Sequence, residues 1–184
     1  ILKSFGRYVA IMAIIALGAS LFLGLLMTKT DMVATGQKFV DQQNMFDLRL
    51  ISNYGWTDTS VEQIRKLPGV ETAEGLYYTD AVASLNAGED SVFRFYAMPE
   101  QVNRIDLRGG RMPEAANECV IDGYLADDSF LGLEITISEV NEADTLDIFR
   151  SKTYTIVGYV STPLYMDMNR GTTSVGNGSI QTYI

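Results

Sequence analysis

The sequence predicts an α+β fold: one transmembrane helix with a stalk extension, then a mixed α/β domain that includes a strand-rich subdomain. Three observations predict it. Tyr8 to Thr28 is an apolar run without a charged residue. Helical spacing of apolar residues continues past that run to about residue 43. The remainder, residues 44–184, is polar enough for a folded domain and reads mostly as short alternating strands around one capped helix.

The apolar run comes first. A bilayer core needs about 20 apolar helical residues, and the transmembrane helix therefore spans about residues 8–28. A cleaved signal peptide has a shorter apolar region that ends at small residues. Here Leu21, Phe22 and Leu23 follow the small cluster Gly18, Ala19 and Ser20, so the run reads as a retained helix. A soluble core helix would show a polar face, and this one does not. Lys3 and Arg7 precede the run with no acidic residue, which sets the N-terminus in the cytoplasm and the domain outside. Ala16, Ser20 and Gly24 recur every fourth residue, a spacing that lets a second membrane helix pack closely.

Composition narrows the function classes. The formal net charge is −9 over 184 residues. That surface argues against nucleic acid, which requires positive charge. Histidine is absent, which removes the commonest general base and metal ligand. Cys119 is the sole cysteine, so no internal disulfide forms, as suits a bacterial surface. It sits in an alternating Cys119-Val120-Ile121 stretch and reads as a small buried side chain. A chain that begins with Ile and ends inside a strand-like segment reads as a piece of a longer protein.

The elements follow in order. Met32 and Phe39, and Val33 and Val40, repeat every seven residues, so the membrane helix continues as a stalk in which Gly36 is the weakest point. Met45 to Ile51 alternates and predicts a half-buried strand. Ser52 to Gly55 predicts a turn. Thr59 and Glu62 have capping-box spacing, Val61, Ile64 and Leu67 form the apolar stripe of a helix, and Pro68-Gly69 ends it. Glu71 to Leu85 and Ser91 to Ala97 predict a hairpin across a five-residue loop, Asn86 to Asp90. A strand–helix–strand unit would lay the helix on one sheet face. Arg108 to Pro113 is a turn-rich link, and Glu118 to Asp122 a short strand. Gly123 to Leu131 leaves room for one helical turn. Leu133 to Ser138 and Thr153 to Val160 are strands, separated by an acidic hairpin tip with Glu139, Glu142, Asp144 and Asp147. Asp167 to Gly178 predicts an exposed loop, and Ser179 to Ile184 begins another strand.

No constellation supports catalysis. Asp167-Met168-Asn169-Arg170-Gly171 has alternating oxygen ligands but lacks the glycine and the bidentate glutamate of a calcium loop. The acidic tip reads as solvated. Gly171 to Gly178 superficially resembles a phosphate loop without its lysine. Metal ligands, cofactor-binding residues and catalytic groups are therefore all expected to be absent from this stretch of chain.

A resemblance emerges from the motifs together. Ile64 to Val70 is similar to the "I-x-x-L-P-G-V" segment of ABC-transporter permeases of the MacB/FtsX type, with Pro68 and Gly69 in place. Gly110, Arg111 and Pro113, followed by Asn117, Glu118, Val120 and Ile121, resemble that family's "G-R-x-P" and "N-E-V-V-I". Leu131 to Ile137 resembles "L-G-D-x-I-T-I", although Leu133 replaces the polar residue after Gly132. Tyr154 to Val160 resembles "F-T-V-V-G-V-V", with Gly158 at the glycine. The bland reading of these residues is that they maintain the fold, with Arg111 and Glu118 open to either a pair or solvation.

The resemblance implies a mixed α/β core between the first two membrane helices of a bacterial cell-membrane permease, with a smaller variable subdomain approximated by residues 110–160. It implies a separate cytoplasmic ABC ATPase, a permease dimer, membrane lipid around the helix, and an external protein or peptide as a further partner. ATP-driven movement would pass up the stalk to serve export or control of an envelope process. The alternative from the residues alone is a single-pass membrane-anchored sensor or binding domain. A third reading is a membrane-anchored enzyme, for which no reactive group is evident.

Overall fold

The apolar run and the stalk form one unbroken helix, α1 (Phe5–Gln42), in the computed structural model, which describes residues 5–124, 126–165, 170–176, 178, 180 and 182–183. Lys3 lies outside the described residues. No residue of α1 is buried. Apolar side chains project on all sides between Tyr8 and Thr28, the pattern of a helix whose solvent is lipid. The two aliphatic hydroxyls in that stretch are satisfied within the helix: Ser20 donates to the Leu17 carbonyl at 3.1 Å and Thr28 to that of Gly24 at 2.8 Å. Gly36 does not interrupt the helix.

The chain divides into two compact units, Ile1–Gln42 and Gln43–Ile184. The second is built on a seven-stranded mixed sheet. Its strands are β1 (Tyr78–Leu85), β2 (Asp90–Tyr96), β3 (Asp106–Gly110), β4 (Glu118–Asp122), β5 (Glu134–Ile137), β6 (Thr153–Ser161) and β7 (Thr182–Tyr183). Two short helices, α2 (Asp58–Arg65) and α3 (Ala143–Leu146), and a 3₁₀ turn at Asp128–Phe130 complete it.

β6 is the organising strand. β5 and then β3 pair antiparallel along one of its edges, while β4 pairs parallel along the other. β1 continues the sheet from β5, β2 pairs with β1, and β7 adds to β2 in parallel. β7 also comes within 8 Å of β4, so the two ends of the sheet approach each other. Strand alternation then aims one set of side chains inward. Ala83, Phe93, Cys119, Ile121, Ile135, Ile137 and Ile156 form the core. Each fully buried isoleucine contributes about 1.5–3 kcal/mol of hydrophobic stabilisation.

The β1–β2 hairpin forms as its pattern predicts. Asn86 and Ala87 take left-handed φ values of 49° and 57° in its loop, and Asp90 joins β2 instead of the loop. β4, β5 and β6 also match their predicted positions, and β5 and β6 pair across the acidic segment, which contains α3. There the Asn141 side chain accepts from the Val82 N–H and donates to the Val82 carbonyl, both at 2.8 Å. It ends the β5–β1 ladder by imitating a strand partner.

Several local expectations are corrected. Met45 to Ile51 is not a strand. The chain turns at Asn44, whose φ is 51°, and the Phe46 N–H is taken by the Asn103 side chain at 3.1 Å. Leu48, Leu50 and Ile51 are exposed. Alternation alone does not make a strand; a ladder needs a neighbour, and none pairs here. The strand–helix–strand unit is accordingly absent. Helix α2 is capped by Thr57, which accepts from the Ser60 N–H, and not by Thr59. Glu62 pairs instead with Arg65 at 2.6 Å. Its stripe of Val61, Ile64 and Leu67 is not fully buried, and Leu67 is exposed. Asp106 to Gly110 is a strand, so the predicted link at Arg108 to Pro113 begins inside β3. Arg170 is buried, against the expectation of an exposed loop from Asp167 to Gly178. Asp167, Met168, Asn169, Ser179, Gln181 and Ile184 lie outside the described residues.

Candidate functional site

The motif residues far apart in sequence meet on β6. Gly110 stands directly opposite Gly158 in the β3–β6 ladder. A Cβ on Gly158 would lie 2.4 Å from the Arg111 carbonyl oxygen, and one on Gly110 2.3 Å from that of Val157. Only hydrogen at both positions allows this backbone approach. Just beyond, the Arg111 N–H donates to the Val157 carbonyl at 2.9 Å, and the Gly132 N–H to that of Ile156 at 2.8 Å. Gly132 has a φ of 85° in open space, so it serves the turn into β5 and not a close contact.

Arg111 and Glu118 form a forked pair, with Nη1 to Oε2 at 2.8 Å and Nη2 on Oε1. The same carboxylate accepts the N–H groups of Glu114 at 2.8 Å and Ala115 at 3.2 Å. The Arg111 guanidinium, and then the Glu114 N–H, hold the Glu118 carboxyl down to about 2. This pair closes the loop that carries Pro113, so β3 and β4 are tied together where both flank β6. Pro68 and Gly69 are not part of this junction. They form the turn after α2, with Gly69 at φ 87° and the Val70 N–H on the Leu67 carbonyl at 3.2 Å. Ala16, Ser20 and Gly24 lie on α1, exposed, with open space around Gly24.

Three polar constructions were not foreseen from the sequence. Asp80 and Arg94 are directly opposed in the hairpin and bond bidentately at 2.5 and 2.7 Å. Burial works to raise the Asp80 carboxyl, but hydrogen bonds from Arg94 and Thr173 and the Arg94 charge outweigh it and lower it. Arg94 also lies 4.8 Å over the Tyr78 ring. Counting outward from the hairpin loop would have paired these two. Asp122 and Arg170 form a buried ion pair with Nε to Oδ2 at 2.8 Å, and Arg170 stacks 4.9 Å over Tyr124. Nothing local in sequence links residues 48 apart. Glu74 accepts three successive backbone N–H groups, from Glu100, Gln101 and Val102, at 2.7–3.1 Å.

Beside the junction lies a cavity of about 570 Å³. Its walls come from the start of β1, the end of β2, β4 and β6. Phe149 meets Phe95 edge-on at 4.9 Å and Tyr154 at 6.2 Å, and the Tyr96 and Tyr165 hydroxyls bond to each other. Cys119 reaches the wall, and burial pushes its thiol up to about 12, so it is protonated and unreactive at neutral pH. Among the described residues, no three His, Cys, Asp or Glu side chains group as metal ligands.

The comparison with known protein families covers nearly the whole chain. The family model described as the MacB-like periplasmic core domain matches residues 9–182. The chain belongs to that family. The match and α1 together fit a piece of a MacB/FtsX-type permease, a membrane-anchored protein of a transporter family. No curated protein and no solved structure gives a significant match.

Proposed function

We propose that the chain is the first membrane helix and extracytoplasmic domain of an ABC-transporter permease. It couples ATP hydrolysis by a separate cytoplasmic ATPase to movement outside the membrane, in export or in control of an envelope process. The observation that carries this reading is the continuity of α1. Its 38 residues extend about 57 Å, against a hydrocarbon core of about 30 Å. Lys29 to Gln42 therefore adds about 21 Å of stiff rod beyond the lipid. A displacement at the membrane passes along such a rod without being absorbed by a hinge within it.

Further features support the assignment. Lys3 and Arg7 favour a cytoplasmic N-terminus. Ala16, Ser20 and Gly24 offer a face to another membrane helix, in the same permease or in the second copy of a dimer. We take residues 1–43 as helix and stalk and 44–184 as the external domain. The glycine and ion-pair junction on β6 makes that domain move as a body. In this reading ATP hydrolysis belongs to the partner subunit, and the chain supplies no catalytic group.

The test uses the full-length permease with its ATPase in lipid nanodiscs. A spin label at Tyr54→Cys, a fully exposed position, reports distance between two copies. ATP is expected to shift that distance. Three glycines inserted after Gly36 should abolish the shift while ATP is still hydrolysed. A distance unmoved by ATP, or a shift that survives the insertion, would sink the coupling reading.

A further inference from the structure

We propose that the cavity beside β6 is a binding site for a neutral, largely aromatic or apolar small molecule, independent of the coupling role of the domain. Its volume of about 570 Å³ falls within the roughly 300–1,000 Å³ typical of drug-sized ligands. The walls are ring faces and a thioether: Tyr77, Phe95, Met98, Phe149 and Tyr154. Phe149 is held between Phe95 and Tyr154, so these surfaces are arranged before any ligand arrives.

The charge argument selects a neutral ligand. Two carboxylates reach the walls, Glu118 and Asp122, and each is engaged by an arginine, Arg111 and Arg170 respectively. An incoming cation would compete with a forked or buried guanidinium, and an incoming anion would have to draw an arginine from its carboxylate. The Tyr96 and Tyr165 hydroxyls, bonded to each other, give one wall a polar edge. Aromatic faces of this kind suit an uncharged aromatic molecule.

Photolabelling tests this with the full chain in lipid nanodiscs and 4-methoxybenzophenone as probe. Irradiation and peptide mapping report where the probe sits, so probe dissolved in lipid is read separately on α1. Label on Met98 and its neighbours is expected to saturate with probe concentration. Ala97→Trp, at an exposed wall position just after β2, should cut that label at least fivefold and leave label on α1 unchanged. Leu76→Trp fills the cavity from a different loop and should do the same, with circular dichroism confirming the sheet in both variants. Label confined to α1 would overturn the proposal. So would Met98 label that rises without saturation or is unaffected in both folded variants.

Discussion

Gly158→Ala tests the central joint of the sheet. The new methyl would stand 2.4 Å from the Arg111 carbonyl oxygen, 3.0 Å from Leu107 Cδ1 and 3.1 Å from the Gly109 carbonyl oxygen. Leu107 can turn aside, but the Arg111 oxygen belongs to a chain pinned by its own N–H on Val157 at 2.9 Å. Relief requires β3 to part from β6 by about 1 Å. Overpacking of this kind costs about 1–3 kcal/mol, and a weakened backbone hydrogen bond adds about 1 kcal/mol. The smaller entropy of the unfolded alanine chain returns about 0.5 kcal/mol. The net is about 3 kcal/mol, or a fall in Tm of about 10 °C for a unit of this size. Thermal unfolding of the purified chain in detergent, followed by near-ultraviolet circular dichroism, measures it. Gly132→Ala is the control, because its φ of 85° lies in open space and strain alone costs about 1–2 kcal/mol. Gly110→Ala combines a φ of 74° with a 2.3 Å contact and should exceed both. A Gly158→Ala protein that melts within 2 °C of the parent would refute the close β3–β6 approach.

Three other perturbations follow from the polar contacts. Arg170→Ala leaves Asp122 buried and unpaired and should cost about 3–5 kcal/mol in urea unfolding, whereas Asp122→Leu with Arg170→Met should lie near the parent. Because Glu118 is held down to about 2 in the fold, against an ordinary value of 4.5, its stabilising effect is full above about pH 4.5 and is lost as pH falls toward 2. Glu118→Gln should therefore flatten the acid limb of the stability profile, and an unchanged slope between pH 5 and 2.5 would contradict the Arg111 pair. Asn141→Asp replaces a donor aimed at the Val82 carbonyl by a carboxylate oxygen, so it should destabilise more than Asn141→Ala, with faster amide exchange at Ser84 reporting the freed edge.

What could be read in the chain was what depends on neighbours in sequence. An uncharged run from Tyr8 to Thr28 demands lipid or burial wherever it is placed. The hairpin around Asn86, Ala87 and Gly88, and the alternation of Ile135 with Ile137, carry their own geometry. Because β6 receives partners on both edges, its motif neighbours Gly110, Arg111, Glu118 and Gly132 were legible as separate pieces in order, and their separate roles were not. That Gly110 and Gly158 touch, while Gly132 merely turns, depends on register.

The failures share one cause. Met45 to Ile51 has the period of a strand, but period describes which side chains share a face and not whether a neighbouring backbone is present to bond. Thr57 outcompetes Thr59 as a cap because the chain enters α2 extended at Thr57, a choice made by the approach and not by the spacing. Asp122 meets Arg170, Tyr96 meets Tyr165, and the aromatic cavity opens only where the two ends of the sheet approach. The sequence by itself therefore determined the membrane helix, the stalk and most strands, since backbone conformation and burial preference are local. Tertiary structure alone decided the Asp122–Arg170 pair, the glycine joint and the cavity, since each arises from residues whose distance apart is set by how the sheet closes.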